Sequence, residues 1–481
     1  MIFQILTWFM IPCTMRTPWT SCRSIVGRLR PHNTHLFTAA AFYSLSHLSN
    51  HVRAFAFASP SPLHQSTHKV NVPKGFGTSG KHTFDTTRTF SSVKDTVELP
   101  LDYPNLCSIQ PALAAIRKAC RITSHLQPLN ATSTISSQTK KDASPVTIGD
   151  YAAQALVLNL LQQSFENDVF IAEESSRVLE EEPELALEIL DVVRECGYQQ
   201  ILDNVEDLKR SIDLGQTYDE SGHVSREGRR WCLDPIDGTR GFLRGKMEGG
   251  QYCVALALMQ DGVPIVGILG CPNLPIHSSD KDSFAWNENE TEENYLEGRG
   301  CIFVASRGGG CYQLPLYPPL NQPYTSTAGA ARVKCTKKDG SEMSTSQARF
   351  CTGVESYSDA LGETNAIAKK MHGKVNDDGD IIFRRRMDSQ VKYGILARGE
   401  AEIMTRLPKK SYVEWIWDHA AGRVVIEEAG GAQTDTHGDL IDYGMGAKMD
   451  KGVDGILVSS GGIFHEALVA SYREQAEERE S

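Results

Sequence analysis

The sequence predicts a chain of mixed α and β layers, and three observations carry that reading. Apolar residues recur at helical spacing over residues 105–126 and 149–165. Between and after them stand short apolar runs of strand length, among them residues 169–172, 251–259 and 263–271. Helical and strand segments alternate irregularly and show no internal repeat, which argues against a regular barrel.

Each element has a local reason. In the first helix Leu113, Ile116, Cys120 and Ile122 recur at helical spacing. Residues 130–141 are polar and read as a loop. The second helix carries Ala152, Ala153, Leu156, Leu158, Leu160 and Leu161, and the run at 169–172 leads as a strand into Glu173 and Glu174. Residues 180–195 read as an acidic helix, and 198–216 as helix or coil. The runs 251–259 and 263–271 are joined across Asp261-Gly262, a hairpin signal. Residues 277–297 form an acidic insertion, and the Pro-, Tyr- and Thr-rich 315–331 a surface loop. Further on, 363–372 is helical, and 381–383, 394–397 and 402–406 read as short strands. A helix over 417–429 ends at Gly430-Gly431, a C-cap signal. A strand at 456–458 and a helix at 464–479 complete the pattern.

Composition narrows the function classes. Of 481 residues, 40% are hydrophobic and 23% charged, which excludes a wholly disordered or fibrous protein. A net charge of -11 argues against non-specific nucleic-acid binding. No run approaches the roughly 18 apolar residues of a membrane span, so no membrane partner is expected. Twelve cysteines without a C-x-x-C pair argue against a zinc ribbon. They read as small buried hydrophobes, with redox regulation as the competing idea.

The first 84 residues differ from the rest. They hold eight Lys/Arg and seven His, and the first acidic residue is Asp85, leaving 41 basic and 60 acidic residues downstream. A basic, hydroxyl-rich, acid-free segment is the composition of an organelle presequence. The run Ala54-Phe55-Ala56-Phe57-Ala58 resembles the Ala-Phe cleavage motif of complex-plastid presequences, which places a plastid ahead of a mitochondrion. Without a working presequence the expected compartment is the cytoplasm. Gly75, Gly77, Gly80 and Lys81 imitate a nucleotide-binding loop, but no good strand precedes them and no good helix follows. Domain organisation is therefore expected as 1–84 presequence, 85–275 first α+β half, 276–346 variable insertion and connection, and 347–475 second half.

The chemistry concentrates around Trp231-Cys232-Leu233-Asp234-Pro235-Ile236-Asp237-Gly238-Thr239. A buried strand ends here, two carboxylates follow three residues apart, and a Gly-Thr turn offers backbone N–H groups to an anion. Hard divalent ions need clustered carboxylates, and Mg2+ shares oxygen atoms with substrate phosphates. A bare D-x-x-D in a turn is more often a solvated loop. Glu173, Asp150 and Asp418 add acids at the ends of three other apolar elements, where charge is costly unless paired or bound to metal. Helix N-capping is the plain alternative for Asp150 and Asp418.

Together these segments resemble the inositol monophosphatase superfamily of magnesium-dependent, lithium-sensitive phosphatases. Its signature is D-P-x-D-G-T followed far downstream by W-D-x-A-x-G, here Asp234 to Thr239 and Trp417 to Gly422. Residues 144–154, 231–245, 271–273, 387–393 and 414–422 resemble its 3'(2'),5'-bisphosphate nucleotidase branch. The resemblance runs from about residue 98 to 471. It implies an α+β fold, a layered α-β-α-β-α sandwich, acting on a small nucleotide bisphosphate as a monomer with two or three Mg2+ ions. By resemblance, Glu173, Asp234, Asp237 and the Ile236 carbonyl hold one ion, and Asp234, Asp237 and Asp418 a second. Asp150 and Thr239 activate the attacking water, and the N–H groups of Gly238 and Thr239 bind the scissile phosphate. Ser389, Lys392 and Arg406 match positions that contact the adenosine and its retained 5'-phosphate, with Asp418 also facing substrate. Ser358 stands where nucleotidases carry a histidine, which puts base selectivity in doubt. The competing readings are a phosphatase of inositol phosphates and a catalytically idle nucleotide sensor.

Overall fold

The computed structural model describes residues 98–127, 137–139, 145–277, 298–319, 321–336, 344–354, 358–372, 384–409 and 411–480. The acid-free segment, the glycine-rich motif near residue 77 and the insertion beyond His277 lie outside them. In chain order the elements are α1 (Leu106–Leu126), β1 (Ser137–Thr139), β2 (Pro145–Thr147), α2 (Ile148–Ser164), β3 (Val169–Ala172), α3 (Arg177–Glu181), α4 (Pro183–Glu195) and α5 (Val205–Asp213). They continue with β4 (Arg229–Asp237), α6 (Thr239–Arg244), β5 (Cys253–Gln260), β6 (Val263–Pro275), β7 (Arg299–Ser306), β8 (Gly310–Pro315) and β9 (Ala331–Val333). The second half holds β10 (Phe350–Thr352), α7 (Ser358–His372), β11 (Arg384–Arg386), α8 (Val391–Ala397), β12 (Ile403–Arg406), α9 (Ala420–Glu428), β13 (Ala432–Asp435), β14 (Ile456–Ser459) and α10 (Ile463–Glu480).

The strands form a large sheet ordered β3-β4-β5-β6-β7-β8-β9, a smaller one ordered β11-β10-β12-β14-β13, and a β1–β2 pair that makes residues 137–139 a strand rather than loop. Side-chain alternation shows why five layers result. On β5, Val254, Leu256 and Leu258 pack with α1 and α2 on one face. Cys253, Ala255, Ala257 and Met259 point the other way, toward α8 and α9. On the small sheet, Cys351, Met404 and Val458 face those same middle helices. Phe350, Ile403 and Leu457 face α7 and α10 outside. The order is helix, sheet, helix, sheet, helix, as the resemblance implies. Because the large sheet is covered on both faces, its strands read as nearly continuous apolar runs.

Several elements differ from their sequence reading. Residues 394–397 form the end of helix α8, not a strand. A four-residue apolar run cannot distinguish the two, and here it is a short helix buried between the sheets. The acidic helix breaks at Glu182, because Pro183 starts a new one. The final motif helix begins at Ala420, and Asp418 closes a 3-10 turn before it. Residues 299–333 carry β7, β8 and β9 of the large sheet rather than only a connection.

The cysteines explain themselves by layer. Cys232, Cys253, Cys271, Cys301, Cys311, Cys335 and Cys351 all belong to the central core cluster as free thiols. Among the described residues, no helix is long and apolar enough to cross a membrane.

Two glycines give a test of this packing. A Cβ on Gly422 would stand 2.3 Å from the Tyr393 ring, whereas one on Gly362 in α7 would meet nothing within 4 Å. Gly422→Ala is expected to cost about 1–3 kcal/mol by overpacking. Gly362→Ala is expected to gain up to about 1 kcal/mol of helix propensity. Paired urea-unfolding curves check the opposite signs.

Candidate active site

The site begins with strand register. Strands β3 and β4 are parallel, and Ala172 pairs with Leu233. The next residues, Glu173 and Asp234, therefore leave the same edge of the sheet side by side. Ligand sites of parallel strands lie at such carboxyl ends.

Strand β4 continues through Pro235 to Asp237 instead of turning as the sequence suggests. Pro235 cannot donate a ladder bond, and the pairing slips there. Asp234 pairs with Ala255, but Asp237 pairs with Cys253. Three steps on β4 thus match two on β5, which is a bulge of one residue. In a regular strand, side chains three apart face opposite ways. The extra residue lets Asp234 and Asp237 share one cluster.

Asp418 arrives from the second half. Ile416 donates its N–H to the Ala447 carbonyl at 3.0 Å, and Trp415 stacks on Trp417 with centroids 4.5 Å apart. Tyr218 lies 6.1 Å from the Trp417 ring and donates to the Ala172 carbonyl at 3.3 Å. This aromatic group links the Asp418 turn to the strand end that carries Glu173.

Oxygen atoms of Asp234, Asp237 and Asp418 all lie within 4.8 Å of one another. Burial raises the pKa of Asp234 well above the usual carboxylate range, and the charges of Glu173, Asp237 and Asp418 raise it further. Burial likewise raises Asp418, with Glu414, Asp237 and Glu173 adding to it. Asp237 is raised by burial, against the pull of Lys392 and the Gln390 N–H. Asp234 Oδ1 is buried without a hydrogen-bond partner. An oxygen-only donor set with an orphaned, buried carboxylate oxygen fits a hard divalent cation.

The other expected residues divide. The Thr239 hydroxyl donates to the Ile236 carbonyl at 3.2 Å. Asp150 is buried, and its Oδ2 accepts from the Thr147 N–H at 2.8 Å and the Thr147 hydroxyl at 2.6 Å. That is a capping box at the start of α2, in which Thr147 is the N-cap and Asp150 the third helical residue, so Asp150 takes part in the cap without being the N-cap itself. A Cβ on Gly149 would come within 2.9 Å of Ile236 Cδ1, so the start of α2 abuts the acidic strand. Gly238 has φ 89°, and a Cβ there would stand 2.8 Å from Ser389 Cβ. Only glycine fits that approach. Ser389 itself has φ 67°, a sparsely used conformation for a residue with a side chain.

Lys392 Nζ donates to the Ser389 carbonyl at 2.8 Å, and its charge acts on Asp237. Half-exposed Arg406 pairs with buried Glu414, Nε to Oε1 at 2.8 Å, and its charge reaches Asp418. Burial acts to raise the Glu414 pKa, but Arg406 and His419 outweigh it and hold the carboxyl below its ordinary range.

Sequence reasoning gave no role to Gln390, Tyr393, Glu414 or His419. The Tyr393 hydroxyl and His419 Nδ1 share a hydrogen bond of 2.9 Å, and His419 Nε2 lies 3.5 Å from Glu414. Tyr393, Glu414 and His419 form a buried polar chain behind Asp418. Glu414 and His419 flank the W-I-W-D run, and ionisable residues bordering that aromatic run are the signal the sequence offers.

The inositol monophosphatase family model matches residues 107–477, and the chain belongs to that family. Among curated relatives it is 36% identical to a 3'(2'),5'-bisphosphate nucleotidase of Schizosaccharomyces pombe, over 75% of this chain and 94% of that protein. It is 37% identical to the Emericella nidulans protein of the same name, over 70% and 91%. It is 33% identical to 3',5'-bisphosphate nucleotidase 2 of Arabidopsis thaliana, over 70% and 90%.

The raised carboxyls predict a pH signature without metal. A carboxyl whose pKa is raised by folding stabilises the fold while protonated and stops doing so as pH rises through the raised value. In chelator, the melting temperature should therefore fall from pH 5 to pH 8. Asp234→Asn should be more stable than the parent at pH 8, by about 1–3 kcal/mol, with the gap closing toward pH 4. Calorimetric scans in chelator across that range check it.

Proposed function

We propose that the chain is a Mg2+-dependent 3'(2'),5'-bisphosphate nucleotidase that removes the 3'-phosphate of 3'-phosphoadenosine 5'-phosphate. The observation that carries this is the cluster of Asp234, Asp237 and Asp418 with Lys392 and Arg406 beside it. An acidic cluster alone repels a phosphate ester. Acids that hold cations, next to fixed cationic side chains, accept one.

Glu173, Asp234, Asp237, Asp418 and the Ile236 carbonyl are the residues that would hold the ions. Mg2+ bound there supplies Lewis-acid charge against the phosphate oxygens and the charge that develops on them. The chain's own groups do the rest. Asp150, with Thr239 as relay, orients a water and takes its proton. The water oxygen bonds to phosphorus, the bond from phosphorus to the 3' oxygen breaks, and that oxygen leaves as the alcohol after gaining a proton. The base role requires Asp150 to exchange part of its Thr147 contact for water, which couples the general base to the N-terminus of α2. The Gly238 and Thr239 N–H groups hold the scissile phosphate.

A second, non-reacting phosphate needs fixed positive charge. Lys392 and Arg406 are suited to it because each already sits near the cluster with its charge set against an acid. On binding, Lys392 would leave the Ser389 carbonyl and Arg406 would share its guanidinium between Glu414 and substrate. The same site accommodates 3'-phosphoadenylyl sulfate, whose 5' group is also anionic. The N-terminal composition supports delivery to an organelle, a plastid ahead of a mitochondrion.

The test is phosphate release from 3'-phosphoadenosine 5'-phosphate, inositol 1-phosphate and inositol 1,4-bisphosphate, side by side with and without Mg2+. The nucleotide is expected to be preferred by at least about tenfold in kcat/KM, corresponding to one charge-assisted contact of ~1.5–3 kcal/mol. Arg406→Ala and Lys392→Met should each lose that preference mainly through KM, while Asp237→Asn loses turnover on every substrate. Preference for an inositol phosphate would contradict the nucleotide reading and leave the metal site standing.

A further inference from the structure

We propose that Gln390 is a positioning residue that holds the acids of the two halves at cation-binding distance. Its contacts reach both halves at once. The Gln390 backbone N–H donates to Asp237 Oδ2, on the large sheet. Its side-chain Nε2 donates to the Trp417 carbonyl at 2.8 Å, one residue before Asp418. Its Oε1 accepts the Gly422 N–H at 3.0 Å, in the first turn of α9. One buried residue therefore spans Asp237 and the chain on both sides of Asp418.

The surroundings fix Gln390 rather than letting it follow. Ser389, with its positive φ, packs against Gly238. Asp388 pairs with Arg244 of α6, and a Cβ on Gly241 would stand 2.9 Å from Asp388 Oδ2. Residues 388–390 are thus anchored on α6 independently of Asp418. The Asp418 turn is in turn anchored by Ala447 and the Trp415–Trp417 stack. The Gln390 side-chain amide bonds the first anchor directly to the second, at the Trp417 carbonyl and the Gly422 N–H. Buried carboxylates that repel one another will separate unless something opposes it, and a neutral amide does so without adding charge. Groups that orient metal-binding side chains typically change metal affinity by about 10–100-fold when removed.

The inference rests on reading Asp234, Asp237 and Asp418 as cation ligands, and the experiment separates the two claims. Mg2+ binding to the full chain is measured by isothermal titration calorimetry without substrate, followed by kcat and KM at saturating Mg2+. Gln390→Met keeps the volume and removes both side-chain bonds. Gln390→Glu keeps an acceptor for Gly422 and removes the donor to Trp417. Arg117→Met is the stability control, since Arg117 is buried in the outer helix layer and bonds the Tyr324 and Ser326 carbonyls. Both Gln390 variants are expected to bind Mg2+ at least about tenfold more weakly, with KM at saturating Mg2+ within twofold of the parent. Arg117→Met should keep the parent's Mg2+ affinity while lowering the melting temperature. Parent-like Mg2+ affinity in Gln390→Met, or equal weakening in Arg117→Met, overturns the proposal. Failure of both Gln390 variants to fold while Arg117→Met folds also overturns it, because Gln390 would then be a core staple. Asp418→Asn must itself lose Mg2+ affinity; if it does not, the cation-site reading beneath the proposal fails.

Discussion

Three carboxylates crowded within 4.8 Å, Asp234 buried and Asp237 and Asp418 partly so, are the constraint on which the rest of this structure depends. Each would be more stable apart. Burial and mutual repulsion push Asp234 and Asp418 toward the protonated form, and Asp234 keeps an oxygen with no partner. A fold can hold such a group only if the surrounding scaffold is rigid and something else compensates. A divalent cation is the compensation the donor chemistry fits. Much of the nearby structure reads as restraint against separation: the β4 bulge, the stacked tryptophans, the Gln390 amide and the Arg406–Glu414 pair.

The five layers supply that rigidity. The large sheet is covered on both faces, and its parallel β3–β4 pair delivers Glu173 and Asp234 to one edge. Helices α8 and α9 lie between the sheets, so the turns preceding them, at Gln390 and at Asp418, meet the strand end inside the molecule. Under the proposed function, substrate recognition and metal binding would therefore share a seam. Ser389 is pressed against Gly238, and Lys392 acts electrically on Asp237. A change on the recognition side will be felt at the acids through these contacts.

What the sequence disclosed follows from range. The hairpin at Asp261-Gly262, the strand before Glu173 and the helix over residues 149–165 are local patterns, and each is present. The acids Asp234, Asp237 and Asp418 could be named because their motifs are specific, and the structure brings them together. The bulge was not legible, because it appears only when β4 is laid against β5. Helix α8 was misread because four apolar residues fit either period. Gln390 lay within a quoted motif, but its role depends on partners at positions 237, 417 and 422. Long-range bonds from a neutral amide leave no mark on composition or periodicity. Asp150 shows the converse: its sequence context supports both a cap and a base, and its contacts with Thr147 are those of the cap.

The most direct test is to locate the ions. Crystals of the chain equilibrated with Mn2+, which shares the hard-oxygen preference of Mg2+, would give anomalous difference density at bound cations. The account predicts at least one strong peak bounded by Asp234, Asp237 and Asp418, lost in Asp237→Asn crystals. An empty acidic cluster at saturating Mn2+, or peaks confined to surface carboxylates, would contradict it.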